Sequence, residues 1–398
     1  MKKILTGALC AALALPALAA EQDTTDVSKF VFTDVITVPT TSVKDQDRSG
    51  TCWSFCGTSF LENEIMRQGG DSLDISEMFT VRMCYLDKAI RYVRNYGECN
   101  FAGGGSALDI PYVWRLYGCM PEEVYAGLNY GEPSHNHSEL DAVLAAYVKA
   151  VASKPNRKVT TAWKNGFEGI LDAYLGEVPE TFEYKGKTYT PQSYAESLGI
   201  KYDDYLPITS YTHHPYYEKF VLEVPDNWLG EGYYNVPLEE MKEIVDYALE
   251  HGFSIAWAAD VSEDGFKWYD GVALMPKGKN EGDMTGTELA RWVKLSDKDR
   301  KNDKYNFSGP VEEEVITAES RQRMYDAQET TDDHGMVIVG IATDQLGNRY
   351  YKVKNSWNTN QVYDGYIYVS EPFLLAKTMD IYVHKDGVPK HILKKLKK

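Results

Sequence analysis

The sequence predicts an α+β protein, because helical patterning is concentrated early, strand patterning late, and a polar, mixed stretch lies between them. From Cys52, CWSFCGTSFLENEIMRQ carries apolar side chains at 53, 55, 60, 61, 65 and 66, the spacing of a buried helix, and it stops at Gly69-Gly70. After Gly335, four apolar runs, MVIVGIA, RYYKVKNSW, GYIYVS and MDIYVHK, are separated by turn residues such as Gln345-Leu346-Gly347-Asn348 and Tyr363-Asp364-Gly365.

In chain order, residues 1–20 have a basic start at Lys2 and Lys3, a short apolar run and Ala17-Leu18-Ala19 near their end. That is the pattern of a secretory signal peptide, too short to span a bilayer, so the mature chain is expected to be exported, to the periplasm or outside the cell. Residues 21–44 read as an extended entry segment. Ser76–Val93 and Leu108–Leu116 read as further helices, and Gly103-Gly104-Gly105 between them marks a place where backbone bends or is closely approached. The middle, about 140–250, has helical stretches at 139–153 and 238–251, the second opening after Pro237 with Glu239 and Glu240 in its first turn. Phe253–Ala259 reads as a buried strand.

Composition narrows the function. With 398 residues, 43% hydrophobic and 25% charged, the chain is long enough for one large domain or two intimate ones, with no low-complexity segment. A net charge of −17 and a pI near 5.0 argue against nucleic acid as a partner. Lys394, Lys395, Lys397 and Lys398 read as a solvated basic end, and no other apolar stretch is long enough for a membrane span. Past residue 20 five cysteines remain, Cys52, Cys56, Cys84, Cys99 and Cys119; in an oxidising compartment an odd count suggests two disulfides and one spare thiol. No Cys-x-x-Cys pair accompanies them, so no zinc or other metal is expected, and His213-His214 reads as a polar turn before Pro215.

Three distant segments carry a chemistry. In the first, Lys44 to Phe55, Cys52 falls where a helix begins, and the positive end of the helix dipole favours thiolate. Gln46 can turn its amide NH2 toward the front of the sulfur, pairing with the Cys52 backbone N–H to hold a developing oxyanion. Gly50 leaves room for a substrate backbone. In the second, Asp332 to Gly340, His334 opens a strand and can serve as the base a cysteine nucleophile needs. In the third, Lys352 to Trp357, the Asn355 amide oxygen can fix the imidazole while Trp357 shields that bond from water.

Gln-x5-Cys-Trp-x-Phe, a distant His-Gly and Asn-Ser-Trp together resemble the papain-like cysteine peptidases, and the similarity is to the bleomycin hydrolase / aminopeptidase C branch. Leu175 to Phe182, Thr212 to Tyr216, Ala259-Asp260-Val261 with Phe266, and Tyr382 to Leu393 extend it over nearly all of the mature chain. The resemblance implies a two-lobe papain-like fold: a helical lobe over about 45–135 with Cys52, and an antiparallel β-barrel-like lobe over about 251–398 with His334 and Asn355. Cys52 and His334 are 282 residues apart, against about 130–150 in papain-like enzymes, so the middle, about 140–250, becomes a large helical insertion. It further implies peptide substrates, hydrolysis through a thioester acyl-enzyme, no cofactor, and a cleft in which Trp53, Gly103, Gly104, Gly105 and Trp357 join Gly50 around the substrate.

Likeness to secreted papain relatives suggests disulfides, and the pairing Cys56–Cys99 with Cys84–Cys119 is one of three arrangements possible for those four cysteines. The branch also suggests a C-terminal arm in the cleft, whose Lys398 carboxylate would meet a substrate's α-amino group, and a homo-oligomer, by family likeness a hexamer. The function expected is an exported cysteine aminopeptidase. The rivals are an endopeptidase of the same fold, a non-peptidase Cys-His amide hydrolase, and a silent binding protein on this fold.

Overall fold

A computed structural model describes residues 26–155 and 157–396. The signal-peptide reading of residues 1–20, like Lys398, falls outside these. Strand β1 (Thr33–Thr37) precedes five helices, α1 (Cys52–Arg67), α2 (Glu77–Arg94), α3 (Asp109–Leu116), α4 (Ser138–Ala152) and α5 (Ala162–Leu175). The hairpin β2 (Phe182–Tyr184) and β3 (Lys187–Tyr189) leads into α6 (Pro191–Ser197), then β4 (Tyr205–Thr209), β5 (Lys219–Val221) and β6 (Gly232–Asn235). Helix α7 (Leu238–Glu250), β7 (Ile255–Ala259), β8 (Phe266–Lys267) and β9 (Val272–Ala273) follow. After α8 (Gly286–Trp292), α9 (Asp297–Tyr305) and α10 (Ala318–Asp326), the chain closes with β10 (His334–Thr343), β11 (Arg349–Lys354), β12 (Tyr366–Ser370), α11 (Glu371–Lys377), β13 (Thr378–His384) and α12 (Lys390–Leu396).

One sheet of eleven strands organises the molecule, in the order β5-β6-β4-β13-β7-β10-β11-β12-β9-β8. The strand β1 lies beside the second half of β10, on the edge whose first half pairs with β7. Alternation along the strands separates two cores. Val337 and Val339 of β10 and Tyr382 of β13 face the helical lobe of α1 to α6. Met336, Ile338 and Ile341, with Ile381 and Val383, face α7, α11 and α12 on the other side. Sequence and structure agree on α1, whose first turn lies against β10 at Gly335: a Cβ on that glycine would come within 3.1 Å of Cys56 Cβ.

Two expectations about the architecture are corrected. The β-rich lobe is an open sheet rather than a barrel, since β5 and β8 end the order without meeting, and it is mixed, because β4–β6 and β9–β12 pair in parallel. The middle is not a helical insertion alone: β4, β5 and β6 extend the main sheet beyond β13. These strands have three to five residues each, too few for an alternation pattern to show in the sequence.

The expected disulfides are also absent: Cys52, Cys56, Cys84, Cys99 and Cys119 are all free thiols. Cys56 turns toward the sheet, where its Sγ donates to the Met336 carbonyl at 2.9 Å. Cys84 and Cys119 are fully enclosed among apolar side chains of the helical lobe, while Cys99 lies half-buried in the loop after α2. Packing rather than cross-linking holds this lobe together. Among the described residues no helix is long and apolar enough to cross a membrane.

Candidate active site

Cys52 is the first residue of α1, and that helix has no acidic side chain in its first turn and no side-chain cap. The Ser54 and Phe55 N–H groups donate to the Thr51 carbonyl, at 2.9 and 3.3 Å. The N–H groups of Cys52 and Trp53 precede the helical ladder, so the positive end of α1 is directed at the sulfur. Just upstream, Gln46 is buried, its Nε2 donating to the Ser49 carbonyl at 2.9 Å and its Oε1 accepting from Ser356 Oγ at 2.7 Å. An amide NH2 has two hydrogens, so one Gln46 N–H is left for a further acceptor.

The same Ser356 links this segment to the strand lobe. The Gln46 N–H donates to the Ser356 carbonyl at 2.9 Å, and Asp45 bridges Trp357. Gln46 and Asn355, more than three hundred positions apart, are thereby neighbours. His334, at the head of β10, brings its Nε2 to 2.6 Å from Asn355 Oδ1, and the Ser356 N–H bonds that same oxygen at 2.7 Å. The His334 ring stacks on Trp357 with centres 4.5 Å apart, and Phe266 and Trp268 meet the indole edge-on. Since Asn355 Oδ1 can only accept, Nε2 carries the ring proton and Nδ1 is left as a base.

Burial dominates the electrostatics of both groups. It pushes the Cys52 thiol up to about 12, helped by Asp332 and Asp226 and opposed by hydrogen bonds from the Gly335 and Trp53 N–H groups. It holds the His334 imidazole down at about 4, against the bond to Asn355 and the charge of Asp333. Burial thus favours the neutral thiol and the neutral imidazole. Passing the proton from one to the other creates thiolate and imidazolium together, and their mutual attraction offsets the burial penalty each would bear alone.

The glycine run walls the cleft. The Trp53 indole N–H donates to the Gly103 carbonyl at 2.9 Å, and a Cβ on Gly50 would lie 3.9 Å from Gly103 Cα. Gly105 packs on the Trp53 ring, where a Cβ would come within 3.0 Å, and a Cβ on Gly104 would collide with the Asp226 carboxylate. The structure thus gathers Gly50, Trp53 and Gly103 to Gly105 on one side of Cys52, and His334, Asn355 and Trp357 on the other. Lys398 is the exception among the expected site residues, lying outside the described part. Helix α12 just before it buries Ile392 and Leu396 in the core shared with α7, behind the sheet from α1.

Three residues not expected at the site line the pocket beside Cys52 and His334: Asp226, Asp332 and Asp380. Asp332 and its neighbour read in sequence as solvating a turn. Asp226 follows a proline in an unpatterned loop. Asp380 did leave a signal, an acid inside the apolar run MDIYV, where strand alternation places it on the face of Tyr382, toward the helical lobe.

Comparison with known proteins finds peptidases as relatives. The model of the Peptidase C1-like family matches residues 286–398. Aminopeptidase C of Streptococcus thermophilus is 22% identical over 90% of this chain and 83% of its own length. Aminopeptidase W of Lactobacillus delbrueckii subsp. lactis is 24% identical over 91% of this chain and 85% of its own length. The crystal structure of PepW from Lactobacillus rhamnosis superposes with a TM-score of 0.69 at 20% identity, covering 92% of this chain and 84% of that one, so the two share a fold.

Proposed function

We propose, for a chain that is a papain-like cysteine peptidase resembling the aminopeptidase C branch, that it is exported and releases N-terminal residues from peptides through a thioester acyl-enzyme. The observation that carries the mechanism is the 2.6 Å contact of His334 Nε2 with Asn355 Oδ1, which leaves Nδ1 free as the base. His334 takes the Cys52 proton as the sulfur attacks the scissile carbonyl carbon. The oxyanion is held by the Cys52 backbone N–H and the remaining Gln46 side-chain N–H, a type of donor whose loss typically costs about 3 kcal/mol of barrier. Collapse of the tetrahedral adduct breaks the C–N bond, and His334 returns its proton to the departing amine. Water then attacks the thioester, giving up a proton to His334, and the acid leaves as the thiol reforms.

Asn355 positions His334, and Trp357 keeps water from the bond between them. Export rests on the signal-like character of residues 1–20. The test is hydrolysis of aminoacyl coumarin amides by the purified protein under mild reduction. Cys52→Ala is expected to abolish turnover and Asn355→Ala to reduce kcat about a hundredfold. Turnover that survives Cys52→Ala would overturn the mechanism, and retention in the cytoplasm of a cell expressing the full chain would overturn export.

A further inference from the structure

We propose that Asp226, Asp332 and Asp380 form a subsite that binds a cationic group of the substrate, on the N-terminal side of the bond to be cut. This rests on the peptidase reading above and assigns its substrate class. The pocket floor comes from three neighbouring strands. Gly335 of β10 pairs with Ala258 of β7, and Ala258 pairs with Asp380 of β13, so the three residues lie in one row leading away from His334. Glycine and alanine leave that row open, and the carboxylate stands at its far end. Asp226 lies against Gly104 of the glycine wall, and Asp332 stands two residues before His334.

The direction follows from the chemistry. The leaving amine takes its proton from His334 and departs past Trp357. The acyl part, which carries the substrate's N-terminal side, therefore lies across Cys52 toward the glycine wall and this row.

Among the described residues, none of the three carboxylates accepts a hydrogen bond from a side chain or backbone group, and none has an ion-pair partner. Lys88, the cation behind the glycine wall, is engaged with the Ala102 and Gly104 carbonyls. Asp380 is 7% exposed and lines the pocket with nothing to pair it. A buried carboxylate in that position is costly unless a counter-charge arrives. Burial raises all three, and Asp226 and Asp380 raise Asp332 further. No lysine or arginine lines the pocket. An ammonium or guanidinium from the substrate supplies the counter-charge, and two sources have that chemistry: the free α-ammonium of an N-terminal residue, or a lysine or arginine side chain one residue further from the bond.

Four coumarin amides separate them: alanyl, N-acetylalanyl, N-acetyl-lysyl-alanyl and N-acetyl-norleucyl-alanyl. The expected result is at least a tenfold higher kcat/KM for a cationic substrate over its neutral counterpart, in the first pair if the α-ammonium is bound and in the second if the side chain is. Asp380→Asn, or Asp332→Asn at the half-buried rim, is expected to bring that ratio close to one, chiefly through KM. Absence of any preference in both pairs, or a preference that neither variant alters, overturns the subsite while leaving the peptidase reading intact. Calorimetric binding of the lysyl and norleucyl peptides, and of alanine amide and its N-acetyl form, to the Cys52→Ala protein needs no turnover. Equal affinities within both pairs overturn the subsite even if no amide is hydrolysed.

Discussion

His334 and Trp357 lie face to face, their ring centres 4.5 Å apart and their planes within 30°. The indole covers the imidazole on the side where Asn355 holds Nε2, and a ring so enclosed resists protonation. His334 is thereby kept at about 4, below the ordinary histidine value, with burial as the largest cause. In a protein labelled for NMR, the His334 ring is expected to titrate near 4, and Trp357→Ala is expected to move that midpoint up toward 6.5. The sign for stability follows. Between about 4 and 6.5 the unfolded chain holds a proton that the folded chain refuses, so this residue's contribution destabilises the fold as pH falls through that window. A His334 midpoint at or above 6.5 in the intact protein would contradict the enclosure.

At Gly335 the strand β10 lies close against α1. The missing side chain of Gly335 would sit 3.1 Å from Cys56 Cβ and 3.4 Å from Trp53 Cα, both on the first turns of α1. Helix backbone cannot give way as the end of a long side chain can. Gly335→Val is therefore expected to push β10 from α1 and separate His334 from Cys52, cutting kcat by tenfold or more. The accompanying loss of stability is expected to be about 1–3 kcal/mol. Thermal unfolding beside steady-state kinetics checks this; a variant with full activity would show that the two lobes are not in tight register there.

The helical lobe owes nothing to cross-links. Cys56 Sγ is engaged with the Met336 carbonyl, and Cys84 and Cys119 are fully buried apart from any partner thiol. Peptide mapping of unreduced protein is expected to recover Cys56, Cys84, Cys99 and Cys119 as free thiols, and a few millimolar dithiothreitol is expected to leave Tm unchanged. A drop of several degrees on reduction would mean that a disulfide carries part of the stability after all.

How far the sequence could be read divides along physical lines. Helices α1, α2 and α3, and strands β10 to β13, were legible because each is long enough for its apolar period to stand out, and α2 also announces itself through the Ser76 cap, which accepts from the Phe79 N–H at 3.0 Å. Cys52, His334, Asn355 and Gln46 were legible because their neighbours, Trp53, Gly335 and Trp357, are local necessities of the same site. The strands β4 to β6 were not, having three to five residues each and joining the main sheet only where β4 meets β13, far away in the chain. Nor was Asp226, which sits on a loop that only the tertiary fold brings to the pocket, while the acid Asp380 stood out in an apolar strand without showing which pocket it lines. The disulfides were misread because cysteine count and a secretory leader suit cross-links equally with buried thiols, and only packing distinguishes them.

The acidic pocket makes one prediction in which two readouts move in opposite directions. Asp332 and Asp226 both raise the Cys52 thiol, so removing either charge lowers it and increases the thiolate fraction at a given pH. Asp332→Asn is therefore expected to speed alkylation of Cys52 by the neutral reagent iodoacetamide several-fold. The acceleration grows with pH as Asp332, held well above the ordinary carboxylate range by burial and by Asp226 and Asp380, becomes ionised in the unaltered protein. The same substitution is expected to slow hydrolysis of the preferred cationic substrate, because the group that draws it in has been removed. A variant that merely loosens the structure would lower both rates, and one that merely exposes the thiol would raise both. Only a carboxylate that opposes the thiolate while attracting the substrate gives the crossing, and a bound cation in its place relieves the sulfur of that opposing charge as the scissile bond arrives.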